Sequence, residues 1–533
     1  MSLESIELRP WEEEFTLPDQ FNMVSLLLER HLKPESTRKT AILSDDDVIS
    51  YGRLGELTNR TGNGLSELGV GPTDRVILLL HDSPVFAAAF LGAMKIGAVP
   101  VPINVMATSH DLAYFINDSE ASVVVAEEDL AGKVVPIMGE CPRLKRLVVN
   151  ADQAGEHVSY HEMLRSASPE LSVYPTSKND HSYWLYTSGT TGQPKGVMHQ
   201  HKDLVYAVET WGRHVVDFHS DETVYCVSRL FFSYGLNYGL YLPLYYGAAV
   251  VLSPGRPVPE KVVENVVRYR PNLLFSVPTS YGQILNYLDE KNLEPDFSSL
   301  RACMSAGEAL PGPLYDRWLK RFGVEILDGL GSSEVSYIYI SNVPGKVRKS
   351  SFGRVLPGYK ARVLDDDGKE QPVGEVGNLW VKSNTLAEGY WNKPEKTREA
   401  FQDGWMKTGD RCWVDEDGYF FYAGRSDDAL KVSGIWVSPL EVEETLLEHG
   451  SVAECAVVAH RDQMGLIKPK AFVTLKSGFE PKEELAAELQ VFVKQRLAPY
   501  KYPRWIEFVS ELPKTATGKI QRYKLRQQGE NEA

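Results

Sequence analysis

Between about Ser50 and Asn342, short apolar runs rich in β-branched residues alternate with longer stretches of helical pattern. The runs DRVILLLH, ASVVVAEE, TVYCVSRL and NLLFSVPTS have the length and composition of buried strands, and PVFAAAFLGAMKIG has those of a helix. Strands buried on both faces and separated by helices are typical of parallel sheets, because the crossovers cover the sheet faces. The alternation therefore predicts an α/β fold with helix-covered sheets.

The pattern changes twice after Asn342. From Gly358 to Tyr422, short strands are separated by turns, which predicts an antiparallel β subdomain. After Gly424 a separate α+β pattern of about a hundred residues follows, a usual size for a compact domain. We therefore expect a large N-terminal domain at 1–424 and a small C-terminal α+β domain at 425–533.

Within the small domain, SPLEVEETLLEHG predicts a helix with Ser438 as its cap and Pro439 in the first turn. Glu441 stands where it would complete a capping box with Ser438. A second, amphipathic helix is predicted near 482–497, and WIEFVSE predicts a strand.

The charge balance excludes some partners. The chain has 533 residues and a net charge of −15, from 57 Lys and Arg against 72 Asp and Glu. Such a field repels phosphate backbones and anionic membrane surfaces, so we expect no nucleic-acid partner. The most apolar stretch, from Pro84 to Val105, has Lys95 at its centre and prolines near its end, which predicts a core helix and strand instead of a membrane span.

The N-terminus and the cysteines indicate the compartment. The opening MSLESIELRPWEEEF is acidic and lacks the apolar core of a signal peptide. The five cysteines are spread too widely for a metal knuckle or a redox pair, which predicts reduced, buried thiols. We therefore expect a cytoplasmic protein.

A phosphate-binding loop is predicted at YTSGTTGQPKG, residues 186–196. Its glycines allow backbone amides to turn toward an anion, its hydroxyls add donors, and Lys195 supplies a positive charge. The apolar run HSYWLY before it and a helical pattern from His199 after it predict a strand, loop and helix in succession. It is not a Walker A loop, because Pro194 replaces the required glycine and no Ser or Thr follows Lys195.

This loop resembles the signature loop of the acyl-adenylate-forming superfamily, which includes acyl-CoA synthetases, luciferases and the adenylation domains of peptide synthetases. Other segments resemble the superfamily's motifs in the same order: LGSSE at 330–334, TGD at 408–410, GRSDD at 424–428 and PKTATGKI at 513–520. The motifs extend from about residue 180 to 520. The resemblance implies an AMP-forming acyl-CoA synthetase, similar to benzoate and related aryl-CoA ligases, with a mobile C-terminal lid.

The resemblance also implies how ATP is held. The loop binds the β and γ phosphates, Asp410 binds both ribose hydroxyls with support from Arg425, and the segments around 306–308 and 328–331 border adenine. Leu330 replaces the commoner aromatic residue, so stacking on adenine is expected to be aliphatic. The residues expected to contact ATP or AMP are Thr187, Ser188, Gly189, Thr190, Thr191, Lys195, Ala306, Gly307, Glu308, Asp328, Gly329, Leu330, Gly331, Ser333, Asp410, Tyr422 and Arg425.

Adenylation brings a carboxylate to the α-phosphate of ATP, so cations have to neutralise two anions. Glu334 is suited to Mg²⁺, which usually takes one or two carboxylates together with phosphate oxygens. Lys519 matches the superfamily's adenylation lysine, whose charge stabilises the transition state.

The superfamily then rotates its small domain so that a second face meets the active site. Asp427 falls at the implied hinge. By resemblance to CoA ligases, Lys431 offers a charge for thioester formation and Gly434 leaves room for the pantetheine arm of CoA. The basic segment 490–526 is either a site for CoA phosphates or an ordinary solvated stretch.

The acid is predicted from SRLFFSYGLNYGL, residues 228–240, which resembles the acyl-pocket motif of aryl-CoA ligases. Its aromatic residues suit a ring carboxylate better than a long alkyl chain, although Phe231 is also expected to fill core. Tyr337 and its neighbours depart from the Met-Leu-His of benzoate ligases, and a serine stands where those have alanine, so benzoate, hydroxybenzoate and cyclohexane- or cyclohexenecarboxylate stay open. The expected pocket residues are Ser233, Tyr234, Ser336, Tyr337 and Ile338, with Gly331 and Val335 beside them.

Three functions follow from these features. The first is an AMP-forming ligase that joins a cyclic carboxylate to CoA through an acyl-adenylate, in either direction, because a thioester and an ATP phosphoanhydride store similar energy. The second passes the adenylate to a carrier protein or to oxygen, which the aryl-ligase-like pocket disfavours. The third is a nucleotide-binding regulator on the same fold, which would be expected to lack Lys519 or Glu334, and both are present.

Overall fold

The computed structural model describes residues 17–45, 47–189, 192–425, 430–432, 435–462, 467–497, 501–514, 520–522 and 524–526. Up to Gln200 the strands are β1 (Thr40–Ser44), β2 (Asp47–Ser50), β3 (Arg75–Leu79), β4 (Val99–Pro102), β5 (Val123–Glu127), β6 (Arg146–Asn150), β7 (Val158–Ser159), β8 (His181–Gly189) and β9 (Gly192–Gln200). They are followed by β10 (Thr223–Cys226), β11 (Ala249–Val251), β12 (Leu273–Ser276), β13 (Ala302–Ala306), β14 (Ile326–Gly331), β15 (Ile338–Ser341) and β16 (Arg354–Val355). The last are β17 (Tyr359–Leu364), β18 (Gly377–Ser383), β19 (Gly389–Tyr390), β20 (Phe401–Gln402), β21 (Trp405–Val414), β22 (Phe420–Arg425), β23 (Leu430–Val432), β24 (Ile435–Val437), β25 (Val452–Arg461), β26 (Ile467–Leu475) and β27 (Trp505–Phe508).

The α-helices are α1 (Val24–Leu27), α2 (Tyr51–Glu67), α3 (Pro84–Lys95), α4 (Ser109–Ser119), α5 (Glu128–Val134), α6 (Tyr160–Ser166), α7 (Asp203–His214), α8 (Ser233–Leu236), α9 (Leu242–Tyr246), α10 (Pro259–Tyr269), α11 (Pro278–Lys291), α12 (Gly312–Phe322), α13 (Pro394–Ala400), α14 (Pro439–Leu447) and α15 (Glu483–Arg496). Short 3-10 turns lie at Glu29–His31, Val135–Glu140 and Ser333–Val335, and a π-helical turn at Asn237–Tyr241.

Two sheets confirm the predicted α/β class. The larger has nine strands in the order β16-β15-β14-β13-β12-β10-β11-β1-β2, and its central strands from β14 to β1 are parallel. The other is a parallel sheet in the order β4-β3-β5-β6-β7. Their strands are the β-branched runs that the sequence marks as buried, because both faces of each sheet are covered.

The apolar stretch from Pro84 to Val105 forms α3 and β4, as predicted. Ser83 accepts the N–H of Phe86 and so caps a helix that is buried from Phe86 onward. Lys95 is only 1% exposed and is neutralised there by Glu29, with its Nζ at 2.6 Å from the carboxylate. In the part of the chain that the structure describes, no helix combines the length and the apolar character needed to span a membrane.

The β subdomain predicted between Gly358 and Tyr422 is confirmed. Strands β17, β18, β21 and β20 form an antiparallel sheet, and β22 pairs with β21 on a branch. The predicted boundary between 424 and 425 falls at the end of β22. Beyond it, β25, β26 and β27 form a three-stranded sheet that packs with α14 and α15.

The helix at Pro439 begins as predicted, but the prediction of a capping box between Ser438 and Glu441 is wrong, because no side chain caps the helix. The Ser438 hydroxyl donates to the Tyr422 carbonyl at 3.4 Å. The Glu441 carboxylate binds Lys501 at 2.6 Å. Both side chains form longer-range contacts, which local spacing does not show.

The cysteines meet the expectation from their spacing. Cys141, Cys226, Cys303, Cys412 and Cys455 are all buried and free. Burial raises the pKa of the Cys226 thiol well above its usual value, so it stays protonated and unreactive.

Candidate active site

The carboxyl ends of β13 and β14 form the floor of the site. These strands are parallel neighbours with Ala306 opposite Gly329, and both are buried. The residues that follow them, at 307–309 and 331–334, regain partial exposure. Ligands bind at this edge of open α/β sheets, and the segments predicted to border adenine meet there.

The first of these segments turns sharply at Gly307, whose φ of +85° is suited to glycine. The Glu308 carboxylate that follows accepts the Thr279 hydroxyl at 2.9 Å. Its other oxygen accepts the backbone N–H of Ile520 at 3.1 Å. The adenine-side loop is therefore in direct contact with the small domain.

The phosphate loop lies between two strands, so the predicted helix at His199 is wrong. Strands β8 and β9 form a hairpin with Thr187 opposite Lys195, and His199 lies in β9. Because β9 pairs with β8 on one side and β19 on the other, its backbone is committed to a sheet. Helix α7 begins only at Asp203. Thr190, Thr191 and the side chain of Ser188 lie outside the described residues.

Helix α4 braces the base of this hairpin. The Tyr186 hydroxyl donates to Asp118 at 2.7 Å, and the indole N–H of Trp391 donates to the Asp118 carbonyl at 2.9 Å. Tyr114 donates to the Pro194 carbonyl at 2.6 Å. These contacts join segments far apart in the chain, and the sequence analysis missed them.

Lys195 of the loop and Glu334, the carboxylate predicted to bind Mg²⁺, both contact Tyr390. The Lys195 ammonium lies 3.9 Å from the centre of the Tyr390 ring, and the Tyr390 hydroxyl donates to Glu334 at 2.8 Å. Burial lowers the pKa of Lys195, while the Glu334 charge opposes that shift. Tyr390 was not predicted, because its motif position in EGYWNKP shows nothing of these two partners.

In the turn at 333–336, the backbone carbonyl of each of the four residues contacts a hydrogen-bonding group from another segment of the chain. His199 Nε2 lies 2.6 Å from the Ser333 oxygen, the N–H of Ala387 donates to the Glu334 oxygen at 2.8 Å, and Thr385 donates to the Val335 oxygen at 2.7 Å. The Ser336 oxygen accepts Ser233 Oγ at 3.1 Å and the amide of Asn237. Ser336 has a φ of +67°, rare for a non-glycine residue. Its backbone is therefore fixed by its surroundings.

The segment predicted to bind ribose forms an ion pair between a buried carboxylate and a partly exposed guanidinium. Asp410 on β21 lies opposite Arg425 on β22, and the guanidinium contacts the carboxylate at 3.1 Å. Asp410 raises the pKa of Arg425, with further contributions from Tyr422 and Glu334. Gly409 has a φ of +78°, and a Cβ there would lie 2.9 Å from the guanidinium. Only glycine leaves room for this pair.

The predicted acyl-pocket residues divide into two groups. Ser233 and Tyr234 are partly exposed, whereas Ser336, Tyr337 and Ile338 are buried. Phe231 is also buried, consistent with the expectation that it fills core. The 228–234 segment is anchored by a buried pair that the sequence analysis missed: Asp82 accepts the N–H of Leu230 at 3.1 Å and contacts Arg229 at 3.3 Å.

Several lid predictions fall outside the described chain. Lys519, Asp427 and Gly434 are not among the described residues, and the backbone of Lys431 lies in β23. Four basic side chains of the segment 490–526 are paired with carboxylates within the small domain. These ion pairs join Arg496 to Glu448, Lys501 to Glu441, Lys514 to Glu454 and Arg522 to Glu443.

The site fits a Mg²⁺-bound nucleotide. Across the described ranges, no group of three or more His, Cys, Asp or Glu side chains is arranged as a metal site, so Glu334 would hold Mg²⁺ together with phosphate oxygens. The Thr187 and Ser332 hydroxyls beside it are buried and have no hydrogen-bond partner in the described structure. Buried hydroxyls of this kind are suited to an absent anionic ligand.

These sheets, the glycine-rich hairpin and the carboxylate and ion pair around it define an adenylate-forming enzyme. A profile of AMP-binding enzymes matches residues 28–391, and a profile of their C-terminal domain matches residues 441–519. The chain belongs to the AMP-binding enzyme family, and it is an AMP-forming acyl-CoA synthetase that uses ATP, Mg²⁺ and CoA.

Three similar proteins show which acyl-CoA synthetases this chain resembles. A benzoate–CoA ligase from Thauera aromatica is 45% identical over 515 residues, which cover 96% of each chain. The structure of the anthranilate CoA ligase AuaEII with anthranoyl-AMP has a TM-score of 0.92 and 41% identity, covering 96% of this chain and 98% of the other. A benzoate CoA ligase structure from Burkholderia xenovorans has a TM-score of 0.87 and 38% identity, covering 95% and 100%.

Replacing Tyr390 with phenylalanine tests its link to Glu334. The variant keeps the ring under Lys195 and removes the hydrogen bond to the carboxylate, so we expect the Mg²⁺ concentration for half-maximal adenylation to rise about three- to tenfold, the usual effect of one such bond. Titration of pyrophosphate release against Mg²⁺ measures this. Tyr419→Phe, at a hydroxyl that donates to the Lys346 carbonyl, is the control. An unchanged Mg²⁺ dependence in Tyr390→Phe would contradict the assigned link.

Proposed function

We propose that the protein activates an aryl carboxylate with ATP, forms an acyl-adenylate and transfers the acyl group to CoA, releasing AMP and pyrophosphate. The observation that carries this proposal is the 333–336 turn. One end of it holds Glu334 beside Lys195, and the other holds Ser336 against the wall formed by Ser233. The turn thus holds Glu334, the carboxylate proposed to bind Mg²⁺ with ATP, and one wall of the acid pocket in a fixed arrangement. Adenylation requires such fixed positions, because the acid has to lie against the α-phosphate.

The hydroxyl groups of the pocket favour an acid whose ring has no polar substituent. Ser233 donates its proton to the Ser336 carbonyl, and Tyr234 donates to the Met304 carbonyl at 3.0 Å. The Ser336 hydroxyl is paired with that of Tyr183 at 2.8 Å. The Ser233 and Tyr234 protons are thus taken by backbone carbonyls, and one proton of the Ser336–Tyr183 pair is used within the pair. Few donors are then left for a ring hydroxyl, and we propose benzoate as the preferred class of acid.

Tyr337 is the exception. Its hydroxyl is buried without a hydrogen-bond partner among the described residues, and its ring packs 4.5 Å from that of Tyr238. Burial raises the pKa of Tyr337 well above its usual value, so the phenol stays protonated. The Tyr238 hydroxyl and Asn237 Oδ1 are likewise buried without a partner in the described structure, so a polar ring substituent would find its partner at this group of side chains.

The experiment is AMP release from ATP and Mg²⁺ across benzoate, the hydroxybenzoates, 2-aminobenzoate, cyclohexanecarboxylate and short fatty acids, with and without CoA. We expect CoA-dependent turnover with kcat/KM for benzoate at least tenfold above that for any hydroxybenzoate, because one misplaced polar group costs about that much. Tyr337→Phe should leave benzoate turnover within threefold. A hydroxybenzoate preference that Tyr337→Phe abolishes would instead assign ring recognition to this phenol.

An alternative outcome concerns the acceptor. If an aryl acid releases pyrophosphate but no thioester forms with CoA, the adenylate passes to another acceptor. If no acid supports turnover, the aryl-ligase function is wrong although the family stands.

The roles of the lid residues are part of the same proposal. We propose Lys519 for adenylation, Lys431 and Gly434 for the CoA step, and Asp427 as the hinge of a small domain that begins at Arg425. A cytoplasmic location is supported by the five free, buried cysteines.

A further inference from the structure

The small domain is docked on the large domain through the carboxylate of Glu444. Its Oε1 accepts the backbone N–H of Gly312 at 3.2 Å and the Ser350 hydroxyl at 2.6 Å. Glu444 lies on α14, whereas Gly312 and Ser350 lie in separate segments of the large domain. One side chain therefore joins three parts of the chain across the interface.

The contact also completes the start of α12. Its N-cap, Pro311, has no side chain that accepts a hydrogen bond, so the first N–H groups of the helix need another acceptor. Glu444 supplies a carboxylate at the positive end of the helix dipole. Burial raises the pKa of this carboxyl, with the neighbouring Glu443 and Glu441 contributing, while the Ser350 and Gly312 donors oppose the shift.

The preceding residue on α14, Glu443, contacts the segment that follows the lysine motif. Both oxygens of Glu443 contact the Arg522 guanidinium, at 2.8 and 2.9 Å, and one also accepts the N–H of Val457. Arg522 lies two residues beyond Ile520, whose N–H binds Glu308 in the adenine-side loop. Contacts thus run from the large domain through Glu444, α14 and Arg522, and return to the large domain at Glu308.

We propose that Glu444 is a positioning residue for adenylation, which holds the small domain in the arrangement that brings the Ile520 N–H to Glu308 in the adenine-side loop. The inference rests on the proposed role of Lys519, the residue directly before Ile520. Glu444 is not among the residues proposed to contact the reacting groups; it acts by fixing α14 and, through Glu443, Arg522, which lies two residues beyond Ile520.

The experiment separates the two half-reactions in Glu444→Ala, Ser350→Ala, the double variant and Glu444→Gln. We expect Glu444→Ala to lower pyrophosphate release in the absence of CoA about ten- to thirtyfold, as for lost hydrogen bonds to a charged group. Thioester formation from supplied acyl-adenylate and CoA should stay within threefold of the original or become faster. Glu444→Gln keeps both acceptor contacts and should retain adenylation within about threefold.

The double variant tests whether the two residues act together. Ser350→Ala should lower adenylation by less than Glu444→Ala, and the double variant should be no slower than Glu444→Ala, because the second substitution removes a bond already lost. Glu448→Ala is the matched control, since this exposed glutamate lies one turn further along the chain and its carboxylate pairs with Arg496 within the small domain. It should change neither half-reaction.

Equal loss in both half-reactions, full additivity, or no loss in Glu444→Ala would overturn the proposal. Glu444→Gln and Ser350→Ala keep the test decisive if the alanine variant at 444 fails to fold. The comparison uses whichever acid the unmodified enzyme adenylates, so a negative result for aryl acids would count against the proposed function and not against the role of Glu444.

Discussion

Alanine in place of Lys519 is expected to lower acyl-adenylate formation by at least about a hundredfold, the usual effect of removing one preorganised donor from a developing charge. The reason is electrostatic, because the acid and the α-phosphate are both anions and this lysine is the cation proposed to neutralise them. Pyrophosphate release without CoA measures the step. Thioester formation from supplied acyl-adenylate should remain within threefold.

The structure supports this placement through the neighbouring residue. The N–H of Ile520 binds Glu308, which follows the end of β13 at the floor of the site. The residue that follows Lys519 in the sequence is thus in contact with the large domain beside the segments predicted to border adenine.

Lys514→Ala is the matched control, because that lysine lies in the same motif but is held by Glu454 at 2.7 Å within the small domain. It should change adenylation by less than threefold. Lys431→Ala should show the reverse pattern, with normal adenylation and slow thioester formation. Loss of both half-reactions to the same extent in Lys519→Ala would refute its specific role in adenylation.

Glu334→Gln is expected to reduce adenylation about a hundredfold at fixed Mg²⁺ and to raise the Mg²⁺ requirement. The amide keeps the size of the side chain and its bond from Tyr390 but removes the charge that a hard divalent cation needs. It also removes a lesser contribution to the raised pKa of Arg425, which is due mainly to Asp410. Adenylation rates over a range of Mg²⁺ concentrations, and nucleotide binding by calorimetry with and without Mg²⁺, measure both effects.

Glu388→Gln is the control for this substitution. Glu388 is half exposed and lies two residues before Tyr390. Among the described residues, its carboxylate contacts His181 at 2.9 Å and not Tyr390, the residue that binds Glu334. Its Mg²⁺ dependence should match that of the unmodified enzyme. If Glu334→Gln kept the original Mg²⁺ dependence, the metal would have to be held by other groups.

The parallel sheets, the β subdomain and the core helix α3 could be predicted because each depends on local pattern. Apolar runs, turn residues and a Ser83 cap act over short stretches of chain, and burial follows from them. The family motifs likewise lie in continuous segments such as 186–196 and 513–520.

What could not be predicted depends on contacts between distant segments. The helix expected at His199 is a strand because β9 pairs with β8, where His199 lies opposite Tyr183, and on its other edge with β19, almost two hundred residues later. Tyr390 joins Lys195 to Glu334, and Ser438 contacts Tyr422 in place of its own helix. Local spacing holds no signal for these partners.

The acid pocket shows the same limit on reading chemistry from residue types. The serine at 233 in place of alanine left the identity of the ring open, yet Ser233, like Tyr234, donates its proton to a backbone carbonyl. A hydroxyl in a motif indicates a donor, but only the folded chain shows to whom it donates.

The 333–336 turn also constrains how such an enzyme can evolve toward other acids. The Ser336 carbonyl accepts hydrogen bonds from Ser233 and Asn237. A substitution that widens the acid pocket at these residues therefore also loosens the turn that carries Glu334. Selection for a new substrate would then lower catalysis on every substrate until a second substitution restored the turn. Changes of specificity in this scaffold are therefore expected to arise in pairs, one residue on the 233–237 segment and one on the turn.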